Sequence, residues 1–353
     1  MEHQAIIYSN DIANALDRIL DNADFNKVII LTDKNANQFV LPKISYIPLL
    51  ASSPRITIAA GDVNKNLDTA AMVWQQLVDN GATRKTILLN IGGGVVTDLG
   101  GFAASVFKRG IKFINIPTTL LGAVDASIGG KTGVNFSGLK NEIGVFNEAS
   151  AVIISTLFFD TLPQSEMKSG YAEMLKHGLL SDKEYFNDLI AYDITGGDLE
   201  HLLHLLKKSV MLKERIVKED PHEHGIRKAL NLGHTAGHAF ESLAMKRNAP
   251  VPHGYAVAWG LVVELVMSHM LYQFPSVTLH DVARFVADNY GAFHITCDDY
   301  DEIISLMKHD KKSLGGEINV SLLEDVGVIK VGSIVAIDDV KTALDIYRDL
   351  MHI

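Results

Sequence analysis

Two histidines four residues apart, His234 and His238 in the run Asn231-Leu-Gly-His234-Thr-Ala-Gly-His238, would share one side of a helix. The spacing is that of a zinc peptidase. Thr235, however, stands where such an enzyme carries its glutamate base, so peptide hydrolysis lacks its proton acceptor. A third histidine, His253, lies in a loop, Val251-Pro-His-Gly254, just ahead of an apolar helical stretch, and a carboxylate, Glu173, is available in Ala172-Glu-Met-Leu-Lys-His177. Two histidines, one carboxylate and an open position make a catalytic zinc site, and the open position lets the metal polarise a substrate oxygen. Spacing alone leaves open whether His234 or His238 is the ligand. Lys176, three residues after Glu173, is either its ion-pair partner on one helix face or a cation that reaches a substrate hydroxyl beside the metal.

A second set of residues suits phosphate. Gly92-Gly-Gly94 follows an apolar strand and precedes a helical pattern. Glycines there either make a tight turn or let a phosphate approach the N–H groups of a helix N-terminus. Thr97 occupies the place of the third glycine of the dinucleotide fingerprint, so a nucleotide site here is not a standard Rossmann one. Gly129-Gly-Lys131-Thr132 looks like the end of a nucleoside triphosphate loop, but Asp125 stands where its first glycine belongs. A carboxylate there argues against triphosphate hydrolysis and leaves Lys131 as an anion contact. Arg109, Lys131, Lys140, Lys176, Lys213, Arg227, Lys311 and Lys312 recur beside these loops. Any one of them alone reads as a solvated surface cation; together they suggest a pocket for a phosphate and a carboxylate.

These residues need elements to position them. Apolar runs at Lys27–Asp33, Thr86–Ile91, Phe113–Ile116 and Ala151–Ile154 read as strands, with helical spacing at Asn66–Asn80 and Thr97–Phe107 between them. Strands alternating with helices imply a mostly parallel sheet covered on both faces. Beyond Thr156 the pattern turns helical: Gln164–Leu180, Glu184–Tyr192, Leu199–Val217, Ala229–Met245, Tyr255–Tyr272 and Thr278–Asn289, then a hairpin at Glu317–Val331 and a closing helix from Val340. The expected division is an α/β domain, residues 1–156, and a helical metal- and substrate-binding domain, residues 157–353.

Composition narrows the classes. A chain of 353 residues, 47% hydrophobic and 21% charged, is globular and long enough for two cores. Its net charge of -10 argues against a nucleic-acid partner. Cys297 is the only cysteine, so no intrachain disulfide forms, which fits a reducing compartment. Met1 to Asn10 shows no signal pattern, and Tyr255–Tyr272, interrupted by Glu264 and His269, reads as a core helix and not a membrane span. A cytoplasmic protein without a membrane partner is expected.

Taken in order, the motifs resemble one family. Gly92-Gly-Gly-Val-Val-Thr-Asp98, Phe107-Lys-Arg109-Gly110, Ile116-Pro-Thr118-Thr119-Leu-Leu121, Val124-Asp125-Ala-Ser-Ile-Gly-Gly130-Lys131-Thr-Gly-Val-Asn135, Lys140-Asn141, Ala172-Glu173 with Lys176, Arg227 with the His234/His238 run, Pro252-His253-Gly254 and Asp310-Lys311-Lys312 resemble the 3-dehydroquinate synthases of the sugar phosphate cyclase superfamily. The resemblance implies an N-terminal NAD-binding α/β domain, a C-terminal helical metal domain and a homodimer. It places NAD against Asp33, Asp62 and Lys65 on its adenosine side, Gly93 and Gly94 at its pyrophosphate, and Asp98, Thr118, Thr119, Asp125, Lys140 and Thr161 elsewhere. Zinc (or cobalt) falls to Glu173, His234 and His253, leaving His238 for the substrate, 3-deoxy-D-arabino-heptulosonate 7-phosphate. Lys131, Asn141, His238 and Lys311 or Lys312 would hold the phosphate, with Arg109 reaching in from a partner subunit. Lys213, Arg227 and Asn231 would take the carboxylate and hydroxyls, and Lys131, Glu173, Lys176, Asn231 and His238 would make up the catalytic set. The implied reaction, a step of the shikimate pathway, is transient oxidation by NAD, phosphate elimination, reduction, ring opening and intramolecular aldol closure.

The chain departs from that family in small ways. Asp62 replaces a common glutamate, Phe136 a frequent histidine, and Lys218-Glu-Asp-Pro221 a more usual Ala-Asp-Glu run. Two rivals share the chemistry in part: a sister cyclase whose substrate lacks the carboxylate, and a metal-dependent polyol dehydrogenase, which would release NADH.

Overall fold

The computed structural model describes residues 4–21, 23–309 and 317–353. The expected phosphate contacts Lys311 and Lys312 lie outside the described residues. The chain forms two compact units. The first runs to Pro163 and includes Asp198–Lys207; the second comprises Gln164–Gly197 and Lys208–Ile353.

In chain order the first unit carries β1 (Ala5–Tyr8), α1 (Ile12–Leu20), β2 (Lys27–Asp33), α2 (Lys34–Phe39), α3 (Pro48–Ser52), β3 (Arg55–Ile58), α4 (Leu67–Asp79), β4 (Thr86–Gly92), α5 (Gly94–Val106), β5 (Lys112–Pro117), β6 (Lys131–Phe136), β7 (Leu139–Phe146) and β8 (Ala151–Ile154). Six strands form a parallel sheet in the order β1-β8-β5-β4-β2-β3. β4 is buried along its whole length, and β8 likewise, because helices cover both faces; hence their unbroken apolar runs. One polar pair interrupts this interior: Asn90 Nδ2 donates to Asn115 Oδ1 at 2.9 Å. A Cβ at Gly100 would overlap the Asn90 amide, so α5 lies directly on β4 at that glycine.

The four strands read from apolar runs are present, and β5 extends through Pro117, at the strand end where a missing N–H costs no ladder bond. β1, β3 and the β6–β7 hairpin are additions. β1 and β3 have four residues each and alternate or fade in burial. The hairpin carries Gly133, Asn135, Gly138 and Lys140, a loop-like composition, and pairs antiparallel outside the main sheet.

The second unit is built from α6 (Gln164–Leu180), α7 (Lys183–Ala191), most of α8 (Leu199–Glu219), α9 (His234–Lys246), α10 (His253–Tyr272), α11 (Ser276–Tyr290), α12 (Tyr300–His309), the hairpin β9 (Ile318–Asp325) and β10 (Val328–Val335), and α13 (Ile337–Leu350). α10 is apolar all round because α6, α9, α11, α13 and β9 pack against it. Among the described residues it is the one helix long and apolar enough to cross a membrane, and most of it is buried inside this unit.

Two of the boundaries that differ from expectation concern histidines. The helix expected over Ala229–Met245 is two elements: a 3-10 turn over Ile226–Asn231, then α9 from His234, separated by Gly233 at φ 78°. A left-handed residue ends the first element, and only glycine takes it without strain. His253, expected in a loop, is the first residue of α10, the position after Pro252. Both histidines therefore open helices.

Candidate metal centre and cofactor residues

Three helices of the second unit deliver the metal candidates. Glu173 projects from the buried middle of α6, His234 and His238 from successive turns of α9, and His253 from the start of α10. Close helix approach is set by glycines: a Cβ on Gly254 would overlap the Ser169 carbonyl of α6, and a Cβ on Gly237 would sit 2.8 Å from the Ala256 carbonyl oxygen of α10. The ligand atoms of His234, His238 and His253 all lie within 4.8 Å of one another. Glu173 Oε1 is 3.3 Å from His234 Nε2 and 3.7 Å from His253 Nε2.

The donor chemistry fits a cation. His234 Nδ1 donates to the Leu232 carbonyl at 3.2 Å, and His253 Nδ1 donates to Glu241 Oε2 at 3.2 Å. A ring bonded at Nδ1 presents the Nε2 lone pair. Both Nε2 atoms thus face Glu173 Oε1, itself an acceptor and fully buried without a well-formed hydrogen bond. Lone pairs converging on a common point call for a positive charge between them. The titration behaviour agrees. Burial opposes ionisation of Glu173, yet the Lys176 ammonium and His234 hold its carboxyl well below the usual range. Burial, helped by the Lys176 charge, pushes His234 down to about 4. His253 rises to about 9 against burial, because the Glu173 and Glu241 carboxylates beside it favour its charged form.

Lys176 is as buried as Glu173, bonds its Oε2, and donates to the Leu230 carbonyl at 2.8 Å. The ion pair allowed by the three-residue spacing is therefore formed. Nearby, Arg227 is buried and donates through Nη1 to the Pro221 carbonyl at 2.6 Å, while its backbone N–H bonds Asp220 Oδ2 at 3.1 Å. Asn231 Nδ2 donates to Glu223 Oε1 at 2.8 Å, and Lys213 is buried on α8.

The cofactor candidates of the first unit fall into two groups. At the α5 N-terminus Gly93 is the N-cap, Gly94 the first helical residue, and no side chain caps the helix. The adjoining turn is tied down by Thr118 N donating to Gly92 O at 2.9 Å and Gly122 N donating to Thr119 Oγ1 at 3.0 Å. A Cβ at Gly93 would press on Thr119 Cγ2 at 3.0 Å, and one at Gly94 on Ala126 Cβ at 3.2 Å. Uncapped N–H groups in a glycine-lined bend suit a pyrophosphate. Asp125 stands on the next helical turn. The other group centres on Lys65, 5% exposed, whose ammonium meets Asp98 Oδ2 at 3.1 Å, Asn141 Oδ1 at 2.5 Å and Asp62 Oδ1 at 3.6 Å. Asn135 Nδ2 bonds Asp62 Oδ2 at 3.0 Å, which ties the β6–β7 hairpin to the turn that carries Asp62. Elsewhere, Asp33 caps α2 by accepting from Ala36 N at 2.8 Å, and Thr161 donates to the Phe158 carbonyl at 3.2 Å. Lys131 and Lys140 are exposed on the β6–β7 hairpin, and Arg109 is exposed at φ 67° after α5.

Residues 55–169 match the 3-dehydroquinate synthase N-terminal family model and residues 170–313 its C-terminal counterpart. The chain belongs to the 3-dehydroquinate synthase family. A 3-dehydroquinate synthase of Parabacteroides distasonis is 45% identical over 349 residues, covering 99% of both chains. Among solved structures, ValA, the 2-epi-5-epi-valiolone synthase of Streptomyces hygroscopicus with NAD+ and Zn2+ bound, superposes at TM-score 0.85 and 24% identity over 99% of this chain and 98% of its own. A 2-deoxy-scyllo-inosose synthase complexed with carbaglucose-6-phosphate, NAD+ and Co2+ gives 0.83 at 22% identity, covering 96% and 95%. At those identities the structures bear on the fold: a parallel α/β unit with a helical C-terminal unit, as the motifs implied.

Four contributors escaped the sequence reading. Glu241 lies three residues after His238, a spacing that could have marked it as a carboxylate behind a histidine. Glu223 sits in a polar loop and Asn135 in the short hairpin strand β6, neither with a spacing that names its partner. Glu264 lies 31 residues from Gly233 on the next helix, α10, and only the packing of the two helices brings it there.

Proposed function

We propose that the chain is a 3-dehydroquinate synthase that uses NAD and one divalent metal to convert 3-deoxy-D-arabino-heptulosonate 7-phosphate into 3-dehydroquinate and phosphate. Full-length 45% identity to a synthase of that name supports the substrate class, and the buried Glu173/His234/His253 convergence carries the metal-dependent chemistry. Glu173, His234 and His253 are assigned as metal ligands, with His238 left for the substrate. A three-histidine set with the same geometry is the alternative. The position of Glu173 favours the first set, because the Nε2 atoms of His234 and His253 both point at its Oε1.

When bound, NAD supplies a hydride acceptor that returns its hydride within one turnover, and the metal lowers the cost of negative charge on the oxidised hydroxyl. The chain's own residues do the remainder. Gly93 and Gly94 offer backbone N–H groups to the pyrophosphate; Asp62, Lys65, Asp98, Thr118, Thr119, Asp125 and Lys140, with Asp33 and Thr161, make up the rest of the proposed NAD set. Asp33 already spends one carboxylate oxygen on α2 and has the other for a ribose. Lys176, fixed by Glu173 and the Leu230 carbonyl, holds a positive charge at the metal centre. Lys213, Arg227 and Asn231 are assigned to the substrate carboxylate and hydroxyls, which a sister cyclase would not require. Lys131 and Asn141 are assigned to phosphate. Most of the rate comes from positioning and charge stabilisation. A homodimer with Arg109 donated across it, and a cytoplasmic setting, belong to the same reading.

The deciding experiment follows phosphate release from that substrate with and without a chelator while NADH absorbance is recorded. Chelator-sensitive release without net NADH is expected. Release only from sedoheptulose 7-phosphate would assign a sister cyclase, and steady NADH formation from a polyol would assign a dehydrogenase.

A further inference from the structure

We infer that Glu264, outside the metal shell and the substrate set, is a positioning residue that fixes the register of α9 on α10 and so the placement of His234 relative to His253. The first N–H groups of a helix have no partner within it, so a residue there is only as fixed as its cap. His234 is the first residue of α9, and the residue that should cap it, Gly233, has no side chain. Glu264 supplies the cap from α10: Oε2 accepts from Gly233 N at 2.6 Å and Oε1 from Ala236 N at 3.1 Å. In a capping box two side chains of the same helix share these two bonds, one to the N-cap N–H and one to the N–H three residues on. Here one fully buried carboxylate of another helix makes both. The charge also faces the positive end of the α9 dipole.

The donor helix matters. α10 begins at His253, with Glu264 about three turns further along. One rigid helix thus carries a ligand at its start and, at a fixed distance, the clamp on the start of the helix that carries the other. Gly260 permits the approach, since a Cβ there would overlap the Gly233 carbonyl oxygen and crowd the Gly237 backbone.

This rests on the metal assignment above, and the test separates the two. Zinc affinity of the full chain is measured by competition with a chromophoric chelator, alongside the visible spectrum of the cobalt(II) form, for wild type, Glu264→Gln and Glu264→Asp. Measurements are made where circular dichroism shows each to be folded. In Glu264→Gln an amide N–H faces a backbone N–H; in Glu264→Asp the carboxylate is drawn back by one methylene. Each should weaken zinc at least about 10-fold, the scale of outer-shell changes, and shift the cobalt bands, with NAD affinity within about twofold of wild type. A lower melting temperature with unchanged zinc affinity and cobalt spectrum would reduce Glu264 to a structural cap and overturn the inference. Wild type that binds no zinc would overturn the metal assignment itself. If neither variant folds, amide exchange in the chelated wild type decides. Protection of Gly233 and Ala236 without metal is expected, whereas protection appearing only on zinc addition would mean that the metal, and not Glu264, sets the start of α9.

Discussion

The two units solve the placement problem differently. In the first, the cofactor candidates ride on short loops after strands, and residues that act together are often close in sequence: Gly93 with Gly94, Thr118 with Thr119. At the Gly93–Thr119 bend backbone geometry positions the candidates, so the types that matter there are glycine and threonine, whereas the Lys65 cluster is joined by side chains across 33 residues to Asp98 and 76 to Asn141. In the second, the metal candidates come from three helices, α6, α9 and α10, and the contacts that fix them span long sequence separations: 31 residues for Gly233 to Glu264 and 85 for Gly254 to Ser169. Side-chain carboxylates do the work there. A local site tolerates changes elsewhere in the fold; a site assembled from packed helices transmits any change in packing to its ligands.

The contrast is broken most severely at the ligands. Glu173→Gln or His253→Ala should remove zinc from the purified protein and lower turnover at least about 100-fold, beyond the 10- to 100-fold scale of outer-shell changes. NAD affinity, read by fluorescence titration, should stay near wild type. His238→Ala should keep its zinc while losing activity. Zinc loss in that variant with zinc kept in Glu173→Gln would instead select the three-histidine set.

Packing comes next. Gly260→Ala puts a methyl into the Gly233 carbonyl of α9, and backbone cannot rotate away as a side chain can. Overpacking of this kind costs about 3 kcal/mol, and zinc affinity should fall with it. Gly94→Ala meets only the Ala126 methyl at 3.2 Å, so stability should change little while NAD binding weakens. Equal stability losses in the two would end the distinction between a loop-built and a helix-built site.

A smaller effect sharpens it. Glu241 fixes His253 through Nδ1 without touching the metal position. Glu241→Gln keeps the shape but weakens the acceptor, and zinc affinity should drop about 10-fold, seen by chelator competition. An unchanged affinity would show that packing of α10 alone orients the ring.

How much was legible in the sequence follows the same division. Strands β2, β4, β5 and β8 announced themselves because a doubly covered parallel strand is apolar throughout. The glycine loop and the histidine pair were visible because their spacing is local. Missing were β1 and β3, too short for a pattern, and the β6–β7 hairpin, whose glycines read as loop. The start of α9 was misplaced because the apolar periodicity runs on through Leu230 and Leu232, and one residue in the left-handed region, Gly233, breaks it. Spacing could not rank His234 over His238, and the 3.3 Å approach of Glu173 Oε1 to His234 Nε2 is a feature only the fold supplies. Glu264 was read only as a charge that interrupts an apolar stretch, since its partner is fixed by how two helices cross.

The smallest effect tests the local rule in the first unit. Asn66 is the N-cap of α4, its Oδ1 accepting from Thr69 N at 3.0 Å. Its Nδ2 also donates to the Val63 carbonyl at 3.0 Å, and its backbone bridges to Asn135. One side chain thus closes the turn that carries Asp62 and Lys65, and its backbone ties that turn to the hairpin bearing Asn141. Replacing an asparagine cap by alanine costs about 1 kcal/mol. If the Lys65 cluster is held by its own turn, Asn66→Ala should lower the melting temperature by a few degrees and weaken NAD modestly, leaving zinc affinity untouched. A change in zinc affinity of the same size as the change in NAD would mean that the two sites are coupled, and that a loop-built site is no more self-contained than one built from helices.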